Sequence, residues 1–306
     1  MWAWKVFAAS VLLCSAVVRA QRFPDRLILL NPLLDTTRPL AAGELGWMHS
    51  LAGWGEFGGY LRGDEEHAWI QRLGAIIELV RFGMHSSLSF ASEIEFIANP
   101  HNDIRFNPRA IFWQEGFLFT HYTGSHYWQL GYYHRCKHDV DNLTIGRERS
   151  LIYGSLLGKY IVPVRLADAG IEGAAAIRGD LYTIRLDART PPSDNQTPFV
   201  DRMIGSLGGS IHLRRPLAAP WIGTYAVGWM FANFYGDRSS TYPVADRVRM
   251  VTIHGGIAAG ISITGAAHFR LGVTYEYLAD TGINPVPERS HLLSVTIAVV
   301  NPQAMW

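Results

Sequence analysis

The sequence predicts an all-β protein, a closed antiparallel transmembrane barrel of about twelve strands. Three observations carry that expectation. Apolar and polar side chains alternate with period two along several segments longer than ten residues. The links between these segments alternate between short and long. The chain is 48 % hydrophobic and 12 % aromatic, yet beyond its first twenty residues no run of eighteen apolar residues could cross a bilayer as a helix. Hydrophobic surface on that scale then has to sit on strands. A soluble sandwich with a polar exterior is the alternative, but strands this long and aromatic expose too much apolar surface unless two sheets bury it.

The elements follow in order. The opening MWAWKVFAASVLLCSAVVRA has a basic start at Lys5, an uncharged run from Val6 to Val18 and small residues flanking Arg19. This is the pattern of a secretory signal peptide over residues 1–20, with an uncharged run too short to span a membrane. Cleavage after Ala20 removes Lys5 and Arg19, two of the 27 basic residues that stand against 26 acidic ones. The balance stays near neutral and does not suggest a nucleic-acid partner. Cleavage also removes Cys14, so Cys136 has no partner for an internal disulfide. Residues 21–43, containing LNPLLDTTRPLAAG, read as an irregular periplasmic lead-in, and residues 44–306 as the barrel.

Twelve strand segments can be placed: 44–61, 67–82, 86–98, 109–122, 126–137, 149–165, 172–187, 202–213, 221–235, 248–263, 267–278 and 290–300. In the third, Leu88, Phe90, Ile94 and Phe96 oppose Ser87, Ser89, Glu93 and Glu95. In the tenth, Val251, Ile253, Ile257, Ile261 and Ile263 oppose Thr252, His254 and Ser262, with Thr264 just beyond. In the eleventh, Phe269, Leu271, Val273, Tyr275 and Tyr277 oppose Arg270, Gly272, Thr274 and Glu276. The links 83–85, 123–125, 166–171, 214–220 and 264–266 are short. Those at 62–66, 99–108, 138–148, 188–201, 236–247 and 279–289 are mostly long and rich in Pro, Asn, Asp, Ser and Gly. Short turns on one side and longer loops on the other belong to barrels of the bacterial outer membrane, and an even strand number puts both termini in the periplasm. Trp306 supplies an aromatic ending, although Pro302 interrupts a final strand. The inward charges, Arg135, Lys137, Glu93, Glu95, Arg178, Asp180, Arg270 and Glu276, could plug the lumen or leave a small pore, and opposed Lys/Arg and Asp/Glu also simply satisfy a polar interior.

The densest chemistry lies at YYHRCKHDVD, residues 132–141. Parity sends His126, Trp128, Leu130, Tyr132, His134 and Cys136 to the lipid side, and Tyr127, Gln129, Gly131, Tyr133, Arg135 and Lys137 to the lumen. A two-residue turn at Gly124-Ser125 would set Glu115 opposite His134 and Trp113 opposite Cys136. A carboxylate beside an imidazole orients it and raises its basicity. A thiol next to that imidazole can ionise and attack an ester carbonyl. The same residues also suit a plain lipid-facing wall and its interfacial girdle. His138, Asp139 and Asp141 could hold a divalent cation such as calcium, or form a solvated loop.

His-x-Cys at His134 and Cys136 resembles the His-x-Ser of two barrel enzymes, the outer-membrane phospholipase A and the lipid A 3-O-deacylase. The resemblance implies Cys136 as nucleophile, His134 as its base and Glu148, fourteen positions after the histidine, as the orienting residue. Cys136 and Lys137 stand where those families have Ser and Asn. A second resemblance spans more of the chain. NPLLDTTRP and YYHRCKHDVD look like the PLIADPR-like and YHxSSHxGD-like segments of an outer-membrane barrel family of unassigned function, with His134, His138 and Asp141 on the motif and Cys136 in place of a Ser. The sequence thus leads to an exported outer-membrane barrel acting as a narrow channel or a surface-exposed scaffold. The rival is an outer-leaflet acyl hydrolase built on Cys136, His134 and Glu148 or Glu115. The partners implied are outer-membrane lipid and lipopolysaccharide, with a homo-oligomer also open.

Overall fold

The alternation predicted above becomes a closed wall in the computed structural model, which describes residues 40–64, 66–98, 108–140, 148–190, 203–236, 251–283 and 289–300. The expected signal peptide, most of the lead-in, Asp141 and Trp306 lie outside these residues. The strands are β1 (Leu45–Trp47), β2 (Leu51–Arg62), β3 (Trp69–Phe82), β4 (Ser86–Ala98), β5 (Pro108–Tyr122), β6 (Tyr127–Asp139) and β7 (Glu148–Leu166). They continue with β8 (Ile171–Thr190), β9 (Met203–Pro216), β10 (Ile222–Tyr235), β11 (Val251–Thr264), β12 (His268–Leu278) and β13 (Ser290–Val300). From β2 onward each strand pairs antiparallel with the next. β13 returns to β2, with Val300 opposite Trp54 and Leu293 opposite Arg62. Twelve strands close without an open sheet edge, as a wall in lipid requires.

One expected strand is broken. Segment 44–61 turns at Met48, whose φ is 49°. Before it, β1 lies along the end of β3, with Leu45 opposite Phe82; after it, β2 pairs with β3 from Leu51 opposite Ile77. The exchange falls at a bulge in β3 between Glu78 and Val80. There the buried Glu78 carboxylate accepts from the Ser50 hydroxyl at 2.7 Å and from Arg81 at 2.6 Å. The remaining strand ends match the expected ones closely, and the short turns gather at one end. In the β5–β6 turn Gly124 takes φ 92° and the Thr123 N–H donates to the His126 carbonyl at 3.0 Å.

Side-chain polarity is inverted relative to a protein in water. Leu130 and Ile177 are 61 % exposed on the outside, and Phe269, Val273 and Tyr275 also face out. The largest fully buried side chains include Arg72, Arg81, Arg109, Arg135, Arg149 and Arg178. Only a lipid surround makes such an arrangement stable. The fold is therefore that of an integral barrel of a bacterial outer membrane.

The lumen is filled in two ways. Along β3–β8, long charged side chains pair across it. Arg72 is ion-paired with Glu95 and reaches Glu56 at 3.3 Å. Asp180 accepts from Arg178 at 2.6 Å, Ser155 at 3.2 Å and Arg135 at 3.4 Å, while its second oxygen takes Ser206 at 3.1 Å. Along β9–β12 many inward positions are glycine, alanine or serine, and aromatic rings lie over glycines. A Cβ on Gly208 would stand 2.1 Å from the Phe231 ring, one on Gly256 2.4 Å from Trp229, and one on Gly272 2.0 Å from the Tyr225 hydroxyl. Phe231 and Trp229 are the direct cross-strand partners of their glycines.

Candidate functional site

The outer wall of β5 and β6 carries the cluster singled out in the sequence. Its register follows from the four-residue β5–β6 connection: Glu115 faces His134, Trp113 faces Cys136, Phe117 faces Tyr132 and Phe119 faces Leu130. Parity holds along β6, with Trp128 and Leu130 exposed and Gln129, Tyr133, Arg135 and Lys137 buried inside. His134 lies in the half of β6 nearer the long loops. The Glu115 carboxylate accepts a hydrogen bond from the Trp113 indole at 3.2 Å. Cys136 is a free thiol of 9 % exposure. Its register neighbours on the same face are Trp113 and Ile152, both much larger than a cysteine.

Glu148 is not brought to His134. It begins β7 at the loop end, whereas His134 pairs with Gly154, six residues further along that strand. At 3.3–3.4 Å of rise per residue this is about 20 Å along the wall. Counting fourteen positions from the histidine overlooks that β6 continues to Asp139 before the chain turns back.

Two groups that the sequence reading did not single out join the outer wall. Gly154 leaves the β7 position beside His134 bare, and the Tyr132 ring leans across it; a Cβ on Gly154 would stand 2.2 Å from the Tyr132 hydroxyl. That hydroxyl meets Thr183 Oγ1 at 3.0 Å. Thr183 occupies a bulge in β8, where Gly154 faces Ile184 but Ser155 faces Tyr182. The bulge was legible: the outward apolar phase runs through Ile177 and Leu181, then slips by one to Ile184 and Leu186. Glu115, His134, Tyr132 and Thr183 together form a polar stripe on an otherwise apolar wall.

The three candidate cation ligands part company. His138 is exposed, while the neighbouring Asp139 has the opposite parity and is held inside. Asp139 is ion-paired with Lys137, accepts from Arg109 at 3.1 Å and takes the Arg149 backbone N–H. Its oxygens are thus committed to cationic and amide donors. Asp141 lies outside the described residues. Among the described residues no three His, Cys, Asp or Glu side chains gather as a metal-holding group.

Asp139 instead belongs to a latch across the outer mouth. Beyond β12, Ala279, Asp280, Thr281 and Ile283 are buried. Asp280 takes both its oxygens to Arg149 Nη1 at 3.0 Å and accepts the Gly282 N–H at 2.9 Å, with Gly282 in the left-handed region at φ 74°. Lys137 donates to the Ile283 carbonyl at 3.3 Å, and Ile283 packs with Ile97, Ala110 and Phe112. Arg109 extends the network to Glu66 at 2.6 Å. No sequence signal pairs Arg149 with a carboxylate 131 positions away.

No family model and no curated protein sequence matches the chain. Among solved structures it is similar to the outer membrane phospholipase A from Escherichia coli, at 11 % identity and a TM-score of 0.44, covering 83 % of this chain and 93 % of that one. It is also similar to LpxR from Salmonella typhimurium, at 8 % identity and a TM-score of 0.43, covering 82 % and 99 %. OprB from Pseudomonas putida matches at 8 % identity and a TM-score of 0.40, covering 84 % and 94 %.

Proposed function

We propose that this barrel serves as a surface scaffold of the outer membrane with a closed lumen, in preference to an open diffusion channel. The observation that carries the reading is the buried latch of Ala279–Ile283, fixed by Asp280 on Arg149 at 3.0 Å. Below it, the buried guanidiniums of Arg135 and Arg178 share Asp180. A solute crossing here would have to part buried ion pairs, at several kcal/mol for each charge left uncompensated. Planar-bilayer recording tests this. The intact protein gives no discrete conductance steps, and Asp280→Ala, which takes the carboxylate away from Arg149, raises the frequency of openings. Regular steps from the intact protein overturn the reading.

A second reading is supported by the polar stripe, since Glu115 faces His134 two residues from Cys136. In it the barrel hydrolyses an ester of outer-leaflet phospholipid or lipopolysaccharide. His134 takes the thiol proton, the Cys136 thiolate attacks the carbonyl carbon, and the ester C–O bond breaks as the alcohol leaves with the proton from His134. Water, deprotonated by His134, then hydrolyses the thioester to the fatty acid and the free thiol, and Glu115, in place of Glu148, orients the imidazole. Calcium would assist by screening lipid phosphates, and a second copy of the chain by covering the wall. The assay is fatty-acid release from either lipid in detergent, with and without calcium. Release that Cys136→Ala abolishes supports hydrolysis; release that Cys136→Ala leaves unchanged, or no release at all, removes it.

A further inference from the structure

Among the lumen's fully buried arginines and their neighbours, Arg270 is held differently, and it borders a void. Between β9–β13 and β2, from mid-depth to the short-turn end, lies a cavity of about 90 Å³. Trp54, Tyr225 and Trp229 give it aromatic walls, Thr274 and Thr296 add hydroxyls, and Arg270 and His212 both border it. Arg72, Arg81, Arg109, Arg135, Arg149 and Arg178 each meet a carboxylate. Among the described residues Arg270 forms no ion pair, although the Glu56 carboxylate attracts it from across the cavity. Its Nε is buried without a hydrogen-bond partner, and so is His212 Nε2. The Arg270 guanidinium sits over the Tyr225 ring at 4.8 Å from the centroid, which fixes its plane. Tyr225 is itself seated by the glycine at 272, so the joint that shapes this arc also holds the arginine in place. The one carboxylate bordering the cavity, Glu56, is drawn toward Arg72 at 3.3 Å.

A guanidinium with its Nε edge unused is a fork awaiting two oxygens. His212, whose Nε2 is also unpartnered, borders the same space. The volume exceeds that of a single water and suits a small anion or a short organic acid. We propose that the cavity is a binding site for one small oxyanion, inorganic phosphate or a carboxylate of a few carbon atoms, reached from the periplasmic side. The Arg270 fork takes two of its oxygens, His212 Nε2 lies against a third polar atom, and the aromatic walls exclude bulk water around the pair. This site is independent of the outer latch and of the stripe on the outer wall.

Calorimetric titration of the folded protein in detergent tests the proposal, using sodium phosphate and sodium acetate against sodium chloride at matched ionic strength. Saturable binding of phosphate, acetate or both, absent with chloride, is the expected result, and the stronger of the two identifies the oxyanion class. Arg270→Gln weakens it at least tenfold and His212→Gln by a smaller factor. Barrel closure of each variant is checked by heat-modifiable electrophoretic migration. Should Arg270→Gln fail to fold, Arg270→Lys keeps the charge but removes the fork and is expected to lose most of the affinity. Heats with phosphate and acetate no larger than with chloride, or full affinity in a folded Arg270 variant, overturn the site.

Discussion

The two arcs of this barrel solve the same problem with opposite materials. Along β3–β8 the interior is closed by charge, with guanidiniums and carboxylates meeting at depth and serines and glutamine completing the pairs, as where Gln114 donates to Glu93 at 2.8 Å. Along β9–β12 it is closed by shape, with rings laid over glycines and a cavity left beside them. The charged arc is rigid only while each charge has its partner, because an uncompensated buried ion costs far more than the pair contributes. The glycine arc depends on the absence of atoms. It tolerates exchange of its polar groups and resists any added Cβ. The proposed anion site accordingly falls on the second arc, where Arg270 forms no ion pair among the described residues.

Breaking the charged arc has the largest effect. Asp180→Ala leaves Arg178 and Arg135 facing each other's charge and strips Ser155 and Ser206 of their acceptor. We expect a loss of about 3–5 kcal/mol, read as a lowered urea midpoint of the folded barrel in detergent or vesicles. Asp180→Asn, which keeps the oxygen shared by Arg178, Ser155 and Arg135 but not the charge, falls between. The glycine arc comes next. Gly208→Val drives a branched side chain into Phe231 and costs about 1–3 kcal/mol by the same measurement. Gly59→Ala, at a site with nothing within 4 Å of the added Cβ, stays within about 0.5 kcal/mol. Equal losses at Gly208 and Gly59 would abolish the distinction between the arcs.

The smallest effect is at the β2–β3 link and depends on pH. Burial alone would raise the Asp64 carboxyl. The hydrogen bond and charge of His67, at 2.6 Å, together with hydrogen bonds from Ser290 and the Glu66 N–H, outweigh it and hold Asp64 well below the ordinary carboxylate range. A depressed folded-state pKa contributes stability that is complete above the unfolded value of about 3.9 and is lost as pH falls through the folded one. Amide protection, relative to the intrinsic exchange rate, at residues 64 and 66–68 therefore holds down to about pH 4 and falls only in stronger acid. In Asp64→Asn it is weaker at neutral pH and loses the acid dependence. A fall in protection between neutrality and pH 5 in the parent would point to another group.

What the sequence revealed and what it hid divide along a physical line. Parity, strand ends and the β5–β6 register were legible because each depends on neighbours in the chain: a period of two, a glycine in a tight turn, a fixed loop length. The break at Met48 was missed because its cause is a bulge in a different strand, although the slip of outward positions from Leu73 and Ile77 to Val80 and Phe82 announces it. The placement of Glu148 at His134 fails for the opposite reason, since distance along the chain was taken for distance along the wall. Asp139 was legible as an acid but not as the partner of Lys137, Arg109 and Arg149. Which charges meet inside a barrel is decided by strands that pass each other only after closure.

Closure itself has a consequence for how the protein must be made. Trp54 finds Val300 only when every strand between them has been delivered, so every earlier form carries two unsatisfied margins. A chain stopped before Ser290 would keep β2 and β12 bare toward each other, and in oil neither margin has water to turn to. Assembly is then an all-or-nothing event timed by the eleven-residue β13, and the seam between β13 and β2 is where any insertion machinery would have to let go.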